Sequence, residues 1–201
     1  MRSSGGGLIG VTIMVAVVLG SFFVTLRMLD SWIAPRVPVE EPVPIQQPEY
    51  DVTLLPRLKS GQVLDFSNGQ NSGARLSGWS APEPQGAWSE GHSAFIGIIP
   101  DDKPGSAAPG GVIVHTDVWI VPGKLNRQRV QVWSGSQKLS GYYLNMSRAR
   151  LDIPLSKIPV HNGEPLILGF YLPDANSPHS LLNSSDTRVV AIRLEALELA
   201  P

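Results

Sequence analysis

From residue 51 onward the chain breaks into short runs in which every second position is apolar, separated by Gly, Pro, Asn and Ser. Successive side chains of a strand point to opposite faces, so this period of two marks strands with one buried and one wet side. It predicts strands over 51–55, 62–66, 74–79, 93–99, 111–121, 128–134, 137–144, 148–154, 165–172 and 188–199. Val130-Gln131-Val132-Trp133 and Arg150-Leu151-Asp152-Ile153 alternate most cleanly, and Ser134-Gly135-Ser136 between two such runs reads as a hairpin turn. The closing run carries two readings. Its Ala, Leu and Glu residues favour helix. Val189 and Val190, with alternation through Ile192, Leu194, Ala196 or Leu197, and Leu199, favour a long closing strand, the reading taken here. Many short strands without a long helix predict an all-β domain: two packed antiparallel sheets in a jelly-roll-like β-sandwich over 51–201.

The first 50 residues follow another pattern. Residues 8–26 contain no charge, and a helix of about 20 such residues crosses a bilayer core of about 30 Å. One N-terminal transmembrane helix is therefore expected over 8–28, behind a short head at 1–7. Arg2 precedes the span while Arg27 and Arg36 follow it, so flanking charge hardly sets orientation. The short head is easily kept in the cytoplasm, and the long C-terminal part is then exported. The rival reading is a cleaved signal peptide. Against it, the apolar run exceeds the usual h-region of about 7–15 residues, and no A-x-A site follows directly. Residues 29–50 are rich in proline, which forces extended geometry and makes a semi-rigid spacer.

Composition narrows the chemistry. The net charge of −1 leaves no basic field for nucleic acid. The absence of cysteine excludes disulfides, thiolate metal sites and cysteine nucleophiles. His92, His115, His161 and His179 are scattered without the spacing of a metal pair. No phosphate-cradling loop or dinucleotide fingerprint occurs, and Ser140-Gly141-Tyr142-Tyr143 lacks the surroundings of a nucleophile elbow. Neither a cofactor nor a metal is expected.

Two stretches differ from ordinary connections. The first, 78–91, reads GWSAPEPQGAWSEG; the second, 177–188, is a polar loop ending in Ser184-Ser185-Asp186-Thr187-Arg188. Trp79 and Trp88 have two readings: sugar platforms, with Glu83 and Glu90 accepting hydrogen bonds from hydroxyls, or anchors that pin a long loop on the sandwich. Asp186 and Arg188, two apart, would share a strand face. They would pair with each other, reach back to Glu83, or meet a ligand. Glu83 and Glu90 as a glycosidase pair form a third reading, which needs a fixed separation between two carboxylates of one loop. The candidate ligand-binding set is Trp79, Glu83, Trp88, Glu90, Asp186 and Arg188.

Leu64-Asp65-Phe66, then the pattern G-W-S-x-P-E-x-x-G-x-W-S-x-G over 78–91, then an apolar strand, resembles β-sandwich domains of bacterial cell-surface polysaccharide systems. Such domains are often attached to multi-span glycosyltransferases. The likeness continues through Pro173-Asp174-Ala175-Asn176-Ser177-Pro178 and the S-x-D-x-R loop at 184–188 into the closing strand. No glycosyltransferase portion accompanies the domain in this chain. The resemblance implies a context rather than a reaction: a non-catalytic accessory protein of envelope polysaccharide synthesis or export. It would be a single-pass protein of the inner membrane with its domain in the periplasm. The implied partners are a glycan, a membrane protein of a polysaccharide synthesis complex, and the lipid bilayer through 8–28. The alternative is a structural subunit that binds such a synthase without touching sugar.

Overall fold

The computed structural model describes residues 46–102 and 108–201. The period-two runs become strands: β1 (Arg57–Leu58), β2 (Val63–Asp65), β3 (Arg75–Ser77), β4 (Ala87–Trp88), β5 (Ser93–Pro100) and β6 (Gly111–Val118). They continue as β7 (Gln128–Ser134), β8 (Gln137–Leu144), β9 (Arg148–Pro154), β10 (Leu166–Tyr171) and β11 (Ile192–Ala200). One sheet has the order β1-β5-β10-β7-β8, with β3 also on β5; the other has β2-β11-β6-β9, with β4 also on β11. Set aside the short β1, β3 and β4. The remaining strands then lie as second-seventh-fourth-fifth in one sheet and first-eighth-third-sixth in the other. That is the strand order of a jelly roll. Every pairing between these strands is antiparallel except β1 with β5.

The core fills the space between the sheets. Phe66, Phe170, Leu151, Ile192 and Leu194 are wholly or almost wholly buried there. β5 is buried along nearly its whole length on both faces. Its second face carries Phe95 and Ile99, which join Ile167, Leu55 and Leu76 in a smaller outer cluster. The continuous apolar run Ala94–Ile99 thus reflects a strand covered on both sides rather than a departure from the strand pattern.

Several expectations need correction. Residues 51–55 form no strand: the Asp51 carboxylate accepts from Thr53 N at 2.9 Å and Thr53 Oγ1 at 2.7 Å, closing a 3₁₀ turn over Val52–Leu54. The strand there is β1, just after Pro56. The expected strand 74–79 is cut to β3 because a 3₁₀ turn holds Ser72–Ala74 and Gly78 takes φ +75°. The strand expected over 111–121 stops at Val118. The loop 177–188 contains a short helix, Pro178–Leu182, capped by the Ser177 hydroxyl.

The closing segment is a strand, but only from Ile192. Its register shifts between Leu194 and Ala196, so Glu195 is the extra residue of a bulge. The bulge explains why alternation ran ambiguously through Ala196 or Leu197: Leu197 is buried and Ala196 is not. The expected head, membrane span and most of the spacer lie outside the described residues. Among the described residues no helix is long and apolar enough to cross a membrane.

Candidate functional site

The segment 78–91 folds as a hairpin laid across the start of β11. Its arms are joined by bridges between Trp79 and Ser89 and between Glu83 and Gly86. Ser80 N donates to the Trp88 carbonyl at 2.8 Å, and Glu90 N to the Gly78 carbonyl at 2.7 Å. The second arm contains β4, which pairs with Arg193 and Leu194 of β11.

Two glycines set how closely the hairpin lies. A Cβ on Gly78 would stand 2.1 Å from the Ser93 carbonyl oxygen, and one on Gly86 2.0 Å from that of Leu194. Both also have positive φ, +75° and +132°, which side chains rarely tolerate. Ser89 makes the deepest contact. Its fully buried hydroxyl accepts from the backbone N–H groups of Ala191 and Ile192, at 3.1 and 3.2 Å. These donors lie at the start of the strand and would otherwise be buried without partners.

The two tryptophans differ. Trp79 packs against the core with its ring edge toward Phe170, centroids 6.1 Å apart, and its indole N–H donates to the Phe95 carbonyl at 2.7 Å. This geometry makes it an anchor. Trp88 lies across from Arg193, whose guanidinium stacks over the indole at 5.3 Å. The Arg193 side chain is 11 % exposed, and its guanidinium bonds the Asp117 carboxylate and, at 2.6 Å, Gln85 Oε1. Asp117 also takes Arg148 Nε at 3.2 Å. A row Trp88, Arg193, Asp117, Arg148 therefore crosses β4, β11, β6 and β9.

Arg188 joins the two motif stretches. Its Nη1 donates to Glu83 Oε1 at 3.1 Å and its Nη2 to Asp186 Oδ2 at 2.8 Å. Asp186 also accepts from the backbone N–H of Arg188 at 3.0 Å. The three side chains are about a third exposed. Asp186 and Arg188 sit in irregular backbone before β11, not on a strand; the pair is made by the Asp186 turn rather than by a shared strand face. Hydrogen bonds from the Arg188 side chain and backbone hold the Asp186 carboxyl below its usual range. Those to Asp186 and Glu83 push Arg188 higher still. Burial, and then the Asp117 charge, raise Glu195.

The structure thus brings Glu83, Asp186 and Arg188 together and puts Trp88 on the same hairpin. Trp79 is turned to the core, and the exposed Glu90 carboxylate makes no hydrogen bond among the described residues. Sequence reasoning missed Arg193 and Asp117. The available signal was an arginine two residues before Glu195 within the closing run.

No protein-family model matches the chain, and neither does any curated protein. Among solved structures it is similar to an acetyl xylan esterase (Est2A) from the rumen bacterium Butyrivibrio proteoclasticus, with 10% identity, TM-score 0.42, and 69% of this chain and 32% of that one covered. It is similar also to a family two carbohydrate esterase from Clostridium thermocellum, solved in complex with cellohexaose, with 8% identity, TM-score 0.37, and 69% and 31% covered. A third likeness is to the CBM51-2 and INT domains of Clostridium perfringens ZmpB, with 12% identity, TM-score 0.29, and 67% and 28% covered. The chain spans about a third of the length of these structures. Likeness this distant leaves the site to be argued from its own residues.

Two expectations follow from the hairpin. Gly78→Ala and Gly86→Ala should each lose about 2–5 kcal/mol in urea unfolding, through clash and strained φ together. Gly91→Ala should lose only about 1 kcal/mol, since open space surrounds its Cβ position. Similar losses at all three would show that the close approach is not what matters. The second concerns pH. The folded-state pKa of Asp186 is lowered from 3.8, so its stabilising contribution is full above that value and lost as pH falls through the lowered one. The gap in melting temperature between the parent and Asp186→Asn should be widest near neutrality and close in acid. A gap that widens in acid would contradict the pairing.

Proposed function

We propose that this chain is a non-catalytic accessory protein of bacterial envelope polysaccharide synthesis or export, touching glycan through the outer surface of the 78–91 hairpin. In this reading residues 8–28 hold it in the inner membrane and the spacer sets the reach of the periplasmic sandwich. Tethering raises local concentration, so weak affinity suffices. The observation that carries the reading is the hairpin itself. It holds Trp88 and Glu83 at partial exposure on a backbone clamped to the central strand, with Arg188 paired to Glu83 and the exposed Glu90 beside them. A rigid aromatic surface flanked by hydroxyl-binding charges suits a sugar ring. The resemblance of the hairpin motif and the S-x-D-x-R loop to domains of polysaccharide systems supports the context.

The rival is a structural subunit that binds a polysaccharide synthase without touching sugar. It is favoured by the same geometry, because Trp79 and Ser89 serve inside the domain and Glu83 is held by Arg188. Calorimetric titration of the full chain in mild detergent against neutral and acidic surface polysaccharides separates the two. The glycan reading expects binding that Trp88→Ala weakens about tenfold, with a smaller loss for Glu90→Gln. No binding to any polysaccharide, together with stoichiometric recovery of a multi-span protein from native membranes, would establish the rival.

A further inference from the structure

Arg75, on β3, borders two adjoining hollows, one of which reaches the entry arm of the 78–91 hairpin. The wider, about 600 Å³, is lined by Glu49, Tyr50, Asp51, Leu54 and Ser72. The narrower, about 330 Å³, is lined by Ser77, Trp79 and Ser80. Arg75, Ser72 and Leu76 border both, so the two form one groove with Arg75 at the shared border. The wall is set by close backbone packing: a Cβ on Gly73 would stand 2.3 Å from the Leu54 carbonyl oxygen.

Among the described residues Arg75 stands apart from the other arginines. Among the described residues Arg57, Arg129, Arg148, Arg150, Arg188 and Arg193 each meet a carboxylate. Arg127 instead stacks on Tyr143. Arg75 has neither kind of partner. Its one hydrogen bond among them is from Nη1 to the Ser80 carbonyl, 3.1 Å, and its Nε is sealed from solvent with no partner. Burial pushes its pKa down, so the surroundings work against the charge. A partly buried cation without an anion is costly to keep unless something else supplies one.

We infer that this groove binds an acidic saccharide, with Arg75 taking the carboxylate of a hexuronate residue. A planar guanidinium matches a carboxylate with paired hydrogen bonds. The other walls fit a sugar better than an acidic peptide. Tyr50, 39% exposed, offers its ring to a pyranose at one end of the groove. Ser72 and Ser77 carry hydroxyls, and Glu49 and Asp51 accept hydrogen bonds from sugar hydroxyls. Asp51 already uses Oδ1 on Thr53, which leaves Oδ2 for a ligand. The same two carboxylates repel densely charged polyanions, so the groove selects one isolated carboxylate per site. The class of ligand rests on the glycan reading above; the site rests on its own residues.

The test is calorimetric titration of the full chain in mild detergent with trigalacturonate. The expected result is saturable binding that weakens as salt rises. Arg75→Gln should bind about tenfold or more weakly, and Arg75→Lys should recover part of the loss. Methyl-esterified trigalacturonate should bind the parent as weakly as trigalacturonate binds Arg75→Gln. Arg150→Gln, at an exposed arginine on β9 that lines neither hollow, should bind like the parent. Thermal unfolding checks that Arg75→Gln remains folded. Tyr50→Ala, in an exposed segment outside the sheets, gives a second loss of affinity if it does not. Failure of trigalacturonate to bind, equal binding by Arg75→Gln, or equal binding of the ester overturns the proposal. Loss in Trp88→Ala but not in Arg75→Gln overturns it too, while leaving the hairpin reading standing. Loss in Arg75→Gln alone supports the groove even where the hairpin surface binds nothing.

Discussion

The fold turns on how the first half of β11 is paired. β11 lies between β2 and β6, but β2 is so short that it covers only Ala196 to Glu198. Toward its start β11 would show an open edge on that side, with backbone groups in need of partners. The hairpin 78–91 fills the gap: β4 pairs with Arg193 and Leu194, and Ser89 and Gly91 bond the segment just before them. The Glu195 bulge falls where the strand passes from one partner to the other, and its carbonyl accepts from Phe66 N at 2.9 Å.

This constraint accounts for most of the hairpin's composition. Gly78 and Gly86 permit the close approach, Trp79 fixes the entry arm on the core, and Ser89 satisfies two strand donors. Glu83 reaches Arg188 to tie the tip to the segment that leads into β11. A motif with two tryptophans and two acids looks like a binding loop in sequence because stacking surfaces and structural staples use the same residue types. What stays available at the surface is narrower: Trp88 under Arg193, the Glu83–Arg188–Asp186 cluster, and Glu90.

Much of the fold was legible. Strands β7, β8 and β9 fall on their expected limits because short connections separate them. β11 was harder to bound, since a bulge breaks the period of two and only tertiary pairing reveals it. The 3₁₀ turn at Val52–Leu54 hid behind an apolar run whose conformation is decided by one Asp51 side chain. β1 and β4, two residues each, exist only through their neighbours. For the site, the approach of Arg188 to both acids was foreseen as one option among several. The part of Arg193 was not, since nothing local tells a stacked, ion-paired arginine from a solvated one. Arg75 was invisible for the converse reason: its peculiarity is that it meets no carboxylate among the described residues, which only the folded surface reveals.

The claim that the hairpin and the start of β11 form one cooperative unit is tested most directly by native-state hydrogen exchange on the parent and on Ser89→Ala. The amides of Ser80 and Ser89 in the hairpin and of Ala191 and Ile192 at the strand should open together, with the same free energy. Ser89→Ala should lower that free energy for all four by about 1–3 kcal/mol while sparing β7 and β8. Hairpin amides that exchange freely while Ala191 and Ile192 keep their protection would contradict the account.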